Sequence, residues 1–230
     1  MKWQKRDCPI NLELVAYGSG WEDITLYICG DHHWWSVSGC LGDGFGALVE
    51  SLYALYPDQP RDEYEARRLA ECDEYVGEYK DGQFVNLRPR EKGDSSCFHF
   101  PKRAEFYWDL EGAGGVAWKI TRESGPAKEF NITIELRCGD EDDATQYKYE
   151  VRYSDLCYAV GKAMTEVVKK NGFAGFYVSV WESDINVRHL CFLKACGMGK
   201  PDAMQPFEAA ETCEAVSSFE DEIELLMFDM

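Results

Sequence analysis

Apolar and polar residues alternate with a period of two over much of this chain, most densely between Glu105 and Tyr153. Phe106-Tyr107-Trp108-Asp109-Leu110 is the kind of aromatic run that suits a pleated, half-buried surface, and it ends in Glu111-Gly112-Ala113-Gly114-Gly115, where glycines allow a tight turn. Val116, Trp118 and Ile120 then alternate with Ala117, Lys119 and Thr121 up to Ser124-Gly125-Pro126. Phe130, Ile132, Ile134 and Leu136 follow against Asn131, Thr133, Glu135 and Arg137, and Tyr147, Tyr149, Val151 and Tyr153 against Lys148, Glu150 and Arg152. One face is apolar and the other charged, so the pattern predicts four antiparallel strands in a meander with one wet side.

At Ser154 the period changes. Leu156, Ala159, Val160, Ala163, Met164, Val167 and Val168 fall at spacings of three and four, which puts them on one stripe of a helix. Ser154 or Asp155 can cap it, Lys169 and Lys170 suit the negative end of its dipole, and Asn171-Gly172 is a stop signal. The stripe and the apolar sheet face each need a partner and are expected to cover one another. The predicted class is α+β, with antiparallel meander sheets and amphipathic helices packed on one face.

The same order occurs earlier in the chain. Leu12, Leu14 and Ala16 predict one strand, Ile24, Leu26 and Ile28 a second, and His33 to Ser38 a third. Asp43 can cap a helix with Phe45, Leu48, Val49, Leu52, Leu55 and Tyr56 on one stripe, ended by Pro57. Strands followed by a helix thus occur twice, without a repeat legible residue by residue. Between the two lies the least regular stretch: a turn at Pro57-Asp58-Gln59-Pro60, a charged segment from Arg61 to Tyr79 read as helical, and a surface excursion from Lys80 to Arg103. Residues 1–230 are therefore expected to form one α+β domain, with parts 1–57 and 104–230 around an irregular insert at 58–103. Further on, Phe176, Val178 and Val180 predict a strand from Phe173 to Trp181, and Asp184 a cap for a short helix closed by Gly197-Met198-Gly199. The tail from Pro201 mixes acids with enough apolar residues to dock on something.

Charge narrows the partners. Lys and Arg number 24 and Asp and Glu 42, a net charge of −18. That sign opposes nucleic acid and anionic membranes and steers a basic protein inward. With 45% hydrophobic and 14% aromatic residues the chain is no disordered acidic tail. The 10 cysteines are scattered rather than spaced as in a small secreted scaffold, and the N-terminal basic residues precede no apolar run, so the reading is a reducing cytoplasm with free thiols. No stretch reaches membrane-spanning length.

Few residues suggest chemistry. In Asp31-His32-His33 the two histidines are adjacent, so in a strand they point to opposite faces and are not expected to share a metal; a turn or cross-strand role is expected for the pair. His189, Cys191 and Cys196 lack zinc-knuckle spacing, and Cys97 with His99 is a thin basis for a thiol nucleophile. The glycines around Asp43 and Gly114 do not form a dinucleotide-binding pattern, and no cofactor motif is present. Asp109 and Glu111 share a strand face beside Trp108, an arrangement found in sugar hydrolases, and they define an enzyme alternative. Asp140, Glu141, Asp142 and Asp143 form an acidic hairpin tip which, with Trp108, is the candidate surface for a basic partner.

The segment Phe106-Tyr107-Trp108-Asp109-Leu110-Glu111-Gly112 with Trp118, the strands after it, the helix over 155–170, Gly172-Phe173 and Trp181 resemble uncharacterised bacterial proteins of the immunity or interaction type. The resemblance covers roughly the C-terminal half. It implies a small cytoplasmic protein that binds and blocks a toxin, with no catalytic residues to carry over. The expected function is thus a non-enzymatic acidic binding module, with a hydrolase using Asp109 and Glu111 as the alternative.

Overall fold

The computed structural model describes residues 3–17, 21–38, 44–56, 75–80, 83–89, 103–110, 114–123, 130–139, 144–179, 186–204, 207–208, 215–216 and 218–230. Two antiparallel meanders dominate. The first contains β1 (Asn11–Tyr17), β2 (Trp21–Ile28) and β3 (Asp31–Ser38), followed by helix α1 (Gly44–Leu55). The second contains β6 (Arg103–Asp109), β7 (Gly115–Arg122), β8 (Asn131–Gly139) and β9 (Thr145–Arg152), followed by helix α2 (Tyr153–Ser179). The α+β class with antiparallel sheets is therefore as the alternation predicts.

Each sheet buries one face. Ile24, Leu26 and Ile28 of β2 and His33, Trp35 and Val37 of β3 are buried, as are Val116, Trp118 and Ile120 of β7 and Ile132, Ile134 and Leu136 of β8. The two buried faces meet directly. Trp35 contacts Trp108 and Trp118 edge to face at ring distances of 5.6 and 6.1 Å, while His33 lies against Tyr147 and Tyr149 of β9. β3 therefore crosses the inner face of the four-stranded sheet. The helices close the flanks, α1 along β6 and α2 along β1, so each helix lies beside the other meander's first edge. Their predicted stripes are buried, Phe45, Leu48, Val49, Leu52, Leu55 and Tyr56 on α1 and Leu156, Ala159, Val160, Ala163, Met164 and Val167 on α2. The described buried side chains of both parts join one hydrophobic cluster.

Cross-strand pairs build the inner face of both meanders. Opposite Ile24, Leu26 and Ile28 stand Trp35, His33 and Asp31; opposite Ile132, Ile134 and Leu136 stand Val151, Tyr149 and Tyr147. His33 of β3 and Tyr149 of β9 touch, Nε2 to Oη at 2.6 Å. Phe45, Leu48, Val49 and Leu52 have the same spacing as Leu156, Ala159, Val160 and Ala163.

Three expectations are corrected. Tyr75–Lys80 is strand β4 rather than the end of a helix, and it pairs with β5 (Gln83–Pro89), inside what reads as a surface excursion. Phe173–Ser179 is helical rather than extended: Gly172 at φ 68° breaks α2 at the expected stop, and the helix resumes beyond it. Helix α3 (Val187–Gly197) is capped by Asn186, whose side chain accepts from the His189 backbone N–H, and not by Asp184, which lies outside the described residues. Helix α3 packs on both α1 and α2, and helix α4 (Phe219–Met227), capped by Ser218, packs on α3.

Candidate functional site

Trp108 is fully buried, and its indole N–H donates to the Gly44 carbonyl at the start of α1. The pleat explains it. Trp108 stands opposite Val116 on the inner face, so it serves the core and offers no surface to a partner. Tyr107, its neighbour, points outward and is exposed. Asp109 ends β6 half-buried, while Glu111 and Asp140, Glu141, Asp142 and Asp143 lie outside the described residues.

The described histidines take structural places, while Cys97 and His99 lie outside the described residues. His32 is exposed and stacks on Tyr27 of β2 with ring centroids 4.7 Å apart; His33 faces inward, as adjacent residues on a strand must. The Tyr149 hydroxyl donates to Asp31 Oδ2 at 2.8 Å, so His33 Nε2 carries its proton and donates to the same hydroxyl. Burial pushes the His33 imidazole below its ordinary range and, with the Asp31 carboxylate, the Tyr149 phenol well above its own. This chain joins the two sheets. His189 bonds Glu50 at 2.5 Å and stacks on Tyr53, while Cys191 and Cys196 are packed in the core. Among the described residues no three His, Cys, Asp or Glu side chains are grouped to hold a metal.

Two outer sheet faces remain, and they differ in character. On the four-stranded sheet, a shallow recess of about 700 Å³ is floored by Ala117 and bordered by Tyr107, Lys119, Glu135, Arg137 and Lys148. Its charges answer one another, with Lys119 paired to Glu135 across the strands. The Glu135 carboxyl is held below its usual range by the hydrogen bond from that lysine. The lining of the recess thus mixes both signs, Lys119, Arg137 and Lys148 with Glu105 and Glu135.

The three-stranded sheet is the opposite case. Its outer positions are Asn11, Glu13 and Val15 on β1, Trp21, Asp23, Thr25 and Tyr27 on β2, and His32, Trp34 and Ser36 on β3. Trp34 is 59% exposed, Tyr27 42% and Val15 39%. The sequence contains no Lys or Arg between Arg6 and Arg61, so every formal charge on these strands is negative. At the margin Lys162 of α2 bonds the Asn11 side chain at 3.1 Å. Trp34 has the signature of a contact residue, a large aromatic kept in water on a rigid strand.

Sequence reasoning that weighed Trp108 passed over Trp34. The signal was in the parity: with Trp35 and Val37 on the apolar side, Trp34 falls on the wet side.

No family model, no curated protein and no solved structure matches this chain.

Proposed function

We propose that this protein is a non-enzymatic acidic binding module that receives a basic protein on the outer face of the three-stranded sheet, as an immunity protein covers a toxin. The observation that carries the reading is Trp34, exposed on the edge strand β3 of a sheet face without a positive charge of its own. Trp is among the residues that dominate interface energetics once covered. The surrounding carboxylates and the net charge of −18 raise the encounter rate with a positive partner and disfavour nucleic acid. A reducing cytoplasm fits the free thiols of Cys8, Cys29, Cys138, Cys157, Cys191 and Cys196. No helix among the described residues is long and apolar enough to cross a membrane.

The test is affinity capture on the immobilised chain with stepwise salt elution. A basic protein held at low salt and released well before 1 M is expected, because exposed charges are screened over about 3 Å at that ionic strength. Retention indifferent to salt, or retention of acidic proteins only, would overturn the reading. The paired-carboxylate alternative gains no observation here, since Glu111 is not among the described residues.

A further inference from the structure

The outer face of the three-stranded sheet has a centre. In the register Glu13 stands opposite Thr25, and Thr25 opposite Trp34, so the three form one row across β1, β2 and β3. Along β2, Thr25 lies between Asp23 and Tyr27 on the same face. Neighbours in the row are about 4.8 Å apart and those along the strand about 6.7 Å. Thr25 is the shortest of the five side chains. By register it is ringed by two carboxylates, Glu13 and Asp23, and two aromatic rings, Trp34 and Tyr27, so its short side chain leaves a recess between longer ones.

Two of these side chains are held in place. Tyr27 is stacked on His32, and Glu13 accepts a hydrogen bond from the Asn11 side-chain amide at 3.0 Å, which leaves carboxylate lone pairs for a second donor. A flat cation matches this set. A guanidinium stacks on an indole face and presents paired N–H donors to a carboxylate at its edge, whereas an ammonium offers a point charge and no plane. We infer that this recess receives an arginine side chain of the partner, laid against Trp34 and donating to Glu13. The inference rests on the proposed binding function and names the group that the face recognises.

The full chain, labelled with nitrogen-15, is titrated with the amide of N-acetyl-arginine, and in parallel with the citrulline analogue, which has the same shape without the charge. The Trp34 indole signal is assigned by its absence in Trp34→Phe. Arginine is expected to move the Trp34 indole and Thr25 amide signals together, with citrulline at least about tenfold weaker and Glu13→Gln weaker by about three- to tenfold. Equal response to arginine and citrulline, or shifts centred on another face, would overturn the inference. So would Trp34 signals that move with protein concentration alone, which would assign the face to a second copy of the chain. The two proposals fail separately. Loss of arginine binding with partner capture still dependent on Trp34 removes the recess and leaves the binding module; arginine binding with capture indifferent to Trp34 does the reverse.

Discussion

Lys194 is fully buried on α3, and its ammonium donates to the Leu226 and Phe228 carbonyls at 3.0 and 2.8 Å, pinning the end of α4. Burial pushes its pKa down from 10.5 to about 8, helped by the nearby Lys169 charge and opposed by Cys191 and Asp229. Between those values the unfolded chain holds a proton that the folded chain has released, so stability rises with pH across the interval and falls as pH drops towards 8. At about 1.4 kcal/mol for each unit of pH, the full effect is about 3 kcal/mol. The perturbation is Lys194→Met, which keeps the stem and removes the charge. Both proteins are best compared in a Cys191→Ala background, because burial raises that thiol to about 11 and gives it a pH dependence of opposite sign. Urea unfolding at steps from pH 7 to 10.5 should then show wild type gaining on the variant by about 3 kcal/mol, most of it above pH 8. A difference independent of pH would mean that the Lys194 ammonium is solvated and that the tail is not held as described.

Other consequences follow from close approaches and shared protons. A Cβ at Gly197 would lie 2.6 Å from the Tyr158 Cα and 2.7 Å from its nitrogen, so Gly197→Ala must push α3 off α2 and should cost about 1–3 kcal/mol in urea unfolding. Tyr149→Phe removes the hydroxyl between Asp31 and His33 and strands a buried imidazole N–H; a loss of about 1–3 kcal/mol is expected at pH 7. The imidazole of wild type is neutral by burial, so its stability contribution is complete above its ordinary pKa of 6.5 and is lost as pH falls through the lowered value, which a pH series of melting curves checks. Asp155 is buried between Arg6 and Arg152, with Arg6 Nη1 at 2.6 Å; Arg6→Ala should lower stability by about 2 kcal/mol and weaken the docking of the N-terminal segment, read by amide exchange.

Much of this fold was legible because its sheets each have one wet face. Alternation located β1 to β3 and β6 to β9, and the three-and-four spacing located α1 and α2, since burial on one side imposes those periods. What escaped was whatever depends on pairing. Tyr75 to Lys80 has little apolar contrast and reads as the end of a charged helix, although Asp81-Gly82 beside it is a hairpin dipeptide. Phe176, Val178 and Val180 are too short a run to separate strand from helix. For the site, the aromatic content was plain but its direction was not: Trp108 and Trp34 each sit beside another aromatic residue on a strand, and only the parity of the surrounding apolar residues turns the first inward and the second out.

The most direct test of the binding account is capture from lysate with three baits side by side: wild type, Trp34→Ser, and Tyr107→Ser on the opposite sheet as a control for exposed aromatics. The account predicts a salt-sensitive basic protein retained by wild type and Tyr107→Ser and lost with Trp34→Ser. Equal retention by all three, or loss with Tyr107→Ser alone, would contradict the assignment of the three-stranded face as the recognition surface.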